Sequence, residues 1–399
     1  MPRLSLYITY DESLGTPLYA AMKVAEAPPK LYPLYLKGTG ESIYAIQQTE
    51  KLFKNLITQA SSNGVDVVVS NFKRLLAWFR LEHYKSEYNV YDLSYPIVRM
   101  PPEAVIQHTL EGVEKLAAAP LMPWQKLLAN ASVVYQMFEN RGILHGSLPC
   151  FPRWYTETYS GRSKVEGGLI HGFTDQDQVG DPEGSEMDYF LHFDWVSADL
   201  RVAALLSSDE ELEQSFITGD PYSHLMSKFN SGDDQDLTRD EAKKALLSSI
   251  NSFDTTSPIF TALYTQLGQW LESVEKKIAK GEAIPTLMGR LLEHNGNPRS
   301  MLNSSMQGSV AHALQYTIRK TWEKVGERLF AEIHDSIVCT VAPESEAIQE
   351  MCGIVSKVMC QPFKEIGIDA FFPIRVSIGK EWRKWVPYKA IRNEEAQTE

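Results

Sequence analysis

Apolar positions recur along this chain with two periods, and the change from one to the other marks its elements. Up to about residue 115, short runs rich in Leu, Ile, Val and Tyr (Leu4–Tyr10, Leu31–Gly38, Val65–Ser70) alternate with stretches of helical period (Ser42–Ala60, Lys73–Tyr84), which predicts an α/β domain on a central sheet. Pro101, Pro102, Pro120 and Pro123 then punctuate a short helical stretch, Glu103–Ala119, as a linker would. A helix is predicted over Trp124–Asn140, stopping at Arg141-Gly142, and residues 145–186 read as loops and short strands rich in Gly, Pro, Ser and Asp. The apolar run Tyr189–Asp194 leads into a predicted helix over Ala198–Phe216; after the acidic loop Asp233–Asp236, Thr238 with Glu241 three residues on signals another helix start. Further helices are expected over Pro258–Ala279, Gly308–Arg328 and Glu344–Ile366, with a hairpin at Phe330–Val341 and a strand at Phe371–Ile378.

Composition changes this picture little. A chain of 399 residues with 43% apolar and 23% charged residues buries a large core and is expected to hold two or three domains. No run approaches the length of a membrane span and the amino terminus lacks the order of a signal peptide, so a cytoplasmic protein with no membrane partner is expected. Cys150, Cys339, Cys352 and Cys360 show neither CxxC spacing nor a nearby His pair and read as reduced core thiols. A net charge of -12 confines any contact with nucleic acid to a local groove where Lys and Arg gather.

The candidate chemistry centres on the hairpin FAEIHDSIVCTV. It carries His334-Asp335-Ser336 at its tip, and Asp335 there serves either turn chemistry or a site. Asp194, at the end of its own apolar run, supplies a second carboxylate; brought together, the two would make a site for paired divalent cations. Arg239, Lys243, Leu247 and Asn251 fall four apart on one helical face, beside Lys244, which is either an anion-binding face or a solvated one. Arg299, Asn303 and Gln307 repeat that spacing and either reach base edges or form a polar outer face. Arg162 and Arg290 each place a cation on a Gly-containing turn. In the first domain, Tyr7-Ile8-Thr9 stands where a nuclease of this shape would carry a DxE triplet, and Asn71–Leu75 has the form of an NxxxD element with Leu for the acid. Asp92 alone remains as a plausible acid.

In chain order these stretches resemble the polymerase core of family A DNA polymerases, the group of bacterial DNA polymerase I and its phage relatives. Asp194-Trp195-Val196-Ser197-Ala198-Asp199-Leu200-Arg201 resembles the DYSQIELR motif, Arg239 and Lys243 the RxxxK of the fingers helix, and NPRSMLNSSMQGSVAHA the RxxxNxPxQGxxAD signature through Arg299, Asn303 and Gln307. Ile333-His334-Asp335 resembles the HDE motif, and Gly379-Lys380-Glu381-Trp382 the terminal GxxW. The similarity covers roughly residues 125 to 385.

The resemblance implies an α+β fold: a right-hand core of palm, fingers and reduced thumb over residues 116–399, behind a degenerate ribonuclease-H-like exonuclease domain over residues 1–115. It implies a DNA-directed DNA polymerase of phage or plasmid type without proofreading. Asp194, Asp335 and the Trp195 carbonyl would hold two Mg²⁺ ions (Mn²⁺ as substitute). Arg239, Lys243, Asp199, Leu247 and Asn251 would line the nucleotide site, and Arg162, Arg290, Arg299, Asn303, Gln307 and His334 would contact primer-template DNA. The partners implied are dNTPs, primer-template and a processivity protein, since a thumb squeezed into about residues 104–150 grips duplex poorly. The chain departs from the family at Leu247, Asn251 and Ser252, where an aromatic and a Tyr-Gly are usual, and at His312, where the family has Asp. Asp199 replaces the Glu that excludes a ribose hydroxyl, and Ser336 gives the HDS of single-subunit RNA polymerases. Two alternatives follow: an RNA or mixed-sugar polymerase or primase on the same fold, and a non-catalytic nucleic-acid-binding accessory subunit.

Overall fold

The computed structural model describes residues 3–10, 17–25, 27–33, 51–53, 55–57, 59–60, 63–70, 76, 90–93, 102–145, 148–150, 153–155, 158, 160, 162–166, 179–180, 188–230 and 237–391. Two compact units result: Met1–Gly142 with Cys150–Glu157 and Ser163–Gly168, and Ile143–Pro149 with Thr158–Arg162 and Leu169–Glu399. The acidic loop Asp233–Asp236 and the Asn71–Leu75 element lie outside the described residues.

The first unit is built on β1 (Arg3–Tyr10), β2 (Pro17–Val24), β3 (Lys30–Pro33), β4 (Asp66–Val69) and β5 (Val90–Asp92) in the order β3-β2-β1-β4-β5. Strand β1 runs antiparallel to β2 and parallel to β4. Alternation along the strands sends Leu4, Leu6, Ile8, Val67 and Val69 to one face and Tyr7, Ala21 and Val68 to the other. Helix α1 (Pro102–Ala118) covers the second face with Val113 and Leu116, while Ala129 and Val133 of α2 (Pro123–Arg141) complete the core on the first. The prolines flank these helices rather than loosen them. The stretch read as linker and as the start of the second domain therefore belongs to the first unit, because that is where its apolar face is buried.

The second unit holds an antiparallel sheet of β6 (Tyr189–Trp195), β7 (Leu329–Ile333), β8 (Ser336–Val341), β9 (Ile374–Gly379) and β10 (Val386–Ile391), ordered β7-β8-β6-β9-β10. Two predicted helices prove broken. Residues 198–216 divide into α3 (Ala198–Ser207) and α4 (Glu210–Thr218) at a left-handed Ser208, because Asp209 caps α4 through Leu212 N–H and also accepts from Leu267 N–H, both at 2.9 Å. After α5 (Pro221–Phe229) and α6 (Arg239–Ser252), the run Pro258–Ala279 becomes a π turn, Ile259–Leu263, and α7 (Thr265–Ala279). The joint is Tyr264, whose hydroxyl donates to Pro221 O at 3.1 Å. The 28-residue α8 (Pro298–Val325) packs against α3 and α9 (Ser345–Met359), and β9 starts at Ile374, three residues later than expected. Among the described residues no helix is long and apolar enough to cross a membrane.

Candidate functional site

Strand β6 lies at the centre of its sheet, so its last residues meet both neighbours. Asp194 is paired across the ladder with Ser336 on β8 and with Arg375 on β9. The two-residue turn His334-Asp335 directly precedes Ser336, which sets Asp335 beside Asp194 although 141 positions separate them. Burial, and then the negative charge of Asp335, push the Asp194 carboxyl up to about 6, with Arg375 pulling the other way. Trp195 turns to the opposite face by alternation; its ring is buried and donates to Met359 O at 2.9 Å, leaving its backbone next to Asp194. Among the described residues no group of three or more His, Cys, Asp or Glu side chains is arranged to hold a metal.

The hairpin tip is held from behind. Ser336 Oγ donates its single proton to Ile333 O at 2.7 Å, so His192 Nε2, 2.8 Å away, is the donor to Ser336. His192 stacks on Trp385 with ring centroids 4.4 Å apart, and burial holds it neutral, down at about 4. Trp382, the last residue of the terminal motif, is buried against Phe190 and Phe330. His334 is exposed at φ 59 and Arg383 is left-handed at φ 58. Crowding, then Arg162 and Arg383, lower the His334 pKa, with Asp335 pulling the other way. A left-handed backbone costs a non-glycine residue about 1–3 kcal/mol. A third such residue, Ser197 at φ 55, lies between Asp194 and Asp199.

Asp199 occupies the first turn of α3, exposed yet ringed by protein. That crowding raises its carboxyl pKa, against Arg162 and together with Asp335, which puts Asp199 in the same cluster. Ser197 brings the cluster up to buried Tyr222, whose hydroxyl pKa is raised by burial and lowered by the Ser197 side chain. Against the Tyr222 ring lie the Arg239 guanidinium at 5.3 Å and the Lys243 ammonium at 5.8 Å. Arg239 opens α6, whose Thr238–Glu241 capping box forms as the sequence predicts. Its fork is engaged by Asp220, Nε at 2.8 Å and Nη2 at 3.0 Å. Leu247 and Asn251, half-buried, continue that face of α6 away from Tyr222.

Helix α8 is buried on nearly every side through its first half. From 299 to 310 the accessible positions are Arg299, Ser300, Asn303 and Gln307, so the predicted stripe of one guanidinium and two amides, about 12 Å long, is the open one. Next to Gln307, Gly308 admits another backbone: a Cβ there would lie 2.6 Å from Ser160 O and 2.9 Å from Thr286 Cγ2. Ser160 belongs to the turn that ends at Arg162, closed by Thr158 Oγ1 donating to Arg162 O at 2.7 Å and held by Arg290 Nη2 donating to Thr158 O at 3.2 Å. Arg290 thus positions the turn, and the turn delivers Arg162 to Asp199 and His334. His312, one turn past Gly308, is fully buried and held neutral, down at about 3.

No family model matches the sequence, and no curated protein matches it. A solved structure of the POL domain of Pol1 from M. smegmatis, in complex with DNA primer-template and dNTP, is similar in fold. The identity is 15%, the TM-score 0.49, and the match covers 84% of this chain and 66% of that one. Tyr222, Asp220, Ser197, His192, Arg375 and Arg383 are site residues that periodicity does not single out; the non-glycine left-handed turns at Ser197, His334 and Arg383 have no local sequence signal.

Proposed function

We propose that the chain is a template-directed DNA polymerase that joins a nucleotide to a primer 3′-hydroxyl. The observation that carries this reading is the convergence of Asp194 and Asp335 at adjoining strand ends, with Asp199, Arg162 and His334 around them. The residues fit a hard cation: the donors are carboxylate oxygens, and burial, then the neighbouring charge of Asp335, push the Asp194 carboxyl up to about 6, a cost to its ionised form that a cation would relieve. Asp194, Asp335 and the Trp195 carbonyl would hold Mg²⁺ or Mn²⁺, which when bound acidifies a hydroxyl nucleophile and neutralises a leaving pyrophosphate.

The chain's own residues do the rest. Lys243, and Arg239 once its fork is free, put positive charge where a triphosphate lies. Asn303 and Gln307 face outward from a rigid helix and would follow acceptors in the duplex minor groove, with Arg299 and Arg162 on backbone phosphate. His334 would contact the primer end. Asp199 favours a second reading, in which ribonucleotides are also used: its carboxylate is one methylene shorter than Glu and stands exposed in the cluster. Primer extension with Mg²⁺ tests both. Wild type is expected to add the template-matched dNTP, while Asp194→Asn and Asp335→Asn do not; extension persisting in both variants defeats the assignment. Strict rejection of ribonucleotides removes the second reading.

A further inference from the structure

Arg239 meets a carboxylate of its own chain. Its fork points Nε and Nη2 at the two oxygens of Asp220, the bidentate geometry that the same fork uses for phosphate. Asp220 is anchored independently of Arg239, as the N-cap of α5: its Oδ2 accepts from Ser223 N–H at 2.9 Å and from Ser223 Oγ at 2.8 Å. The fork lies over buried Tyr222, whose ring also receives Lys243. Two cations and an aromatic floor thus form an anion subsite, and Asp220 fills half of it. The Nε/Nη2 edge of the fork cannot hold this carboxylate and a phosphate at once, and the side chains of the pair are 42% and 22% exposed, so the bond is within reach of a competing ligand.

We infer that Asp220 is an intramolecular competitor for the Arg239 anion subsite, displaced by a phosphate group of the incoming nucleotide, and that it thereby sets nucleotide affinity. The inference rests on the proposed nucleotidyl transfer. Asp220→Asn suits its test, because Asn remains a good N-cap while its amide turns a donor toward the Arg239 fork and releases it. Mg²⁺-dATP binding to the full chain with primer-template is measured by equilibrium titration on wild type, Asp220→Asn, Arg239→Ala and the double variant. Asp220→Asn is expected to tighten binding by about two- to fivefold, the span an exposed ion pair supports, Arg239→Ala to weaken it, and the gain from Asp220→Asn to vanish in the double variant. Asp220→Ser, which keeps a cap, should behave as Asp220→Asn and replaces it if the Asn variant does not fold. Unchanged or weaker binding in the cap-preserving variant, with Arg239→Ala still weaker than wild type, overturns the competitor and leaves the polymerase reading standing. Binding that is indifferent to Arg239→Ala overturns the subsite itself.

Discussion

Asp194 is a residue whose ionisation works against folding. Its folded pKa, about 6, lies above the ordinary 3.8, so between those values the native chain binds a proton that the unfolded chain has released, and stability falls as pH rises through that window. His192 and His312, held down at about 4 and about 3, act in the opposite sense: below about 6.5 the unfolded chain binds protons that they refuse, and stability falls as pH drops. A difference between variants isolates the aspartate. Asp194→Asn is expected to match wild type near pH 4 and to exceed it above pH 6, by at most about 3 kcal/mol, in thermal unfolding without divalent cations. A gap that does not grow with pH contradicts the crowded, like-charged environment. At this scale the two aspartates were legible in the sequence, because Asp194 ends an apolar run and Asp335 sits at the tip of a hairpin. The partner of Arg239 was not: Asp220 lies 19 residues upstream on another helix, beyond any local period.

Elements position these residues, and Gly308 shows how tightly. Its missing Cβ lets the Ser160 carbonyl rest on α8, which seats the turn bearing Arg162. Gly308→Ala forces that backbone away, so a stability loss of about 1–3 kcal/mol and weaker binding to duplex DNA are expected in melting and filter-binding measurements. Gly353 is the control: it sits inside α9 with nothing within 4 Å of a Cβ, so Gly353→Ala should stabilise by about 0.5–1 kcal/mol and leave binding unchanged. Helix existence was legible here and helix continuity was not. The breaks at Ser208 and Tyr264 arise from Asp209 bridging two helix starts and from a hydroxyl reaching Pro221 O, contacts between segments that no single window contains.

Across the whole molecule, the two units carry different expectations. In the first, the positions read as a lost acidic triplet have other tasks: Tyr7 hydroxyl meets His108 Nε2 at 2.8 Å and Thr9 meets Thr109 at 3.0 Å, both fastening α1 to the sheet. Incubated with primer-template, Mg²⁺ and no nucleotide, the chain should leave the primer 3′ end intact; steady shortening on a sequencing gel would count against a degenerate nuclease. The first unit runs on to Gly142, past the prolines that read as a linker in the sequence, because the buried faces of α1 and α2 pack on its sheet. In the second unit, everything depends on Asp194 and Asp335 acting as one cation-binding pair. Mn²⁺ titration of the full chain, followed by electron paramagnetic resonance, measures that pair directly: wild type is expected to bind and both Asp194→Asn and Asp335→Asn to lose binding, whereas wild-type binding in either variant would contradict the account.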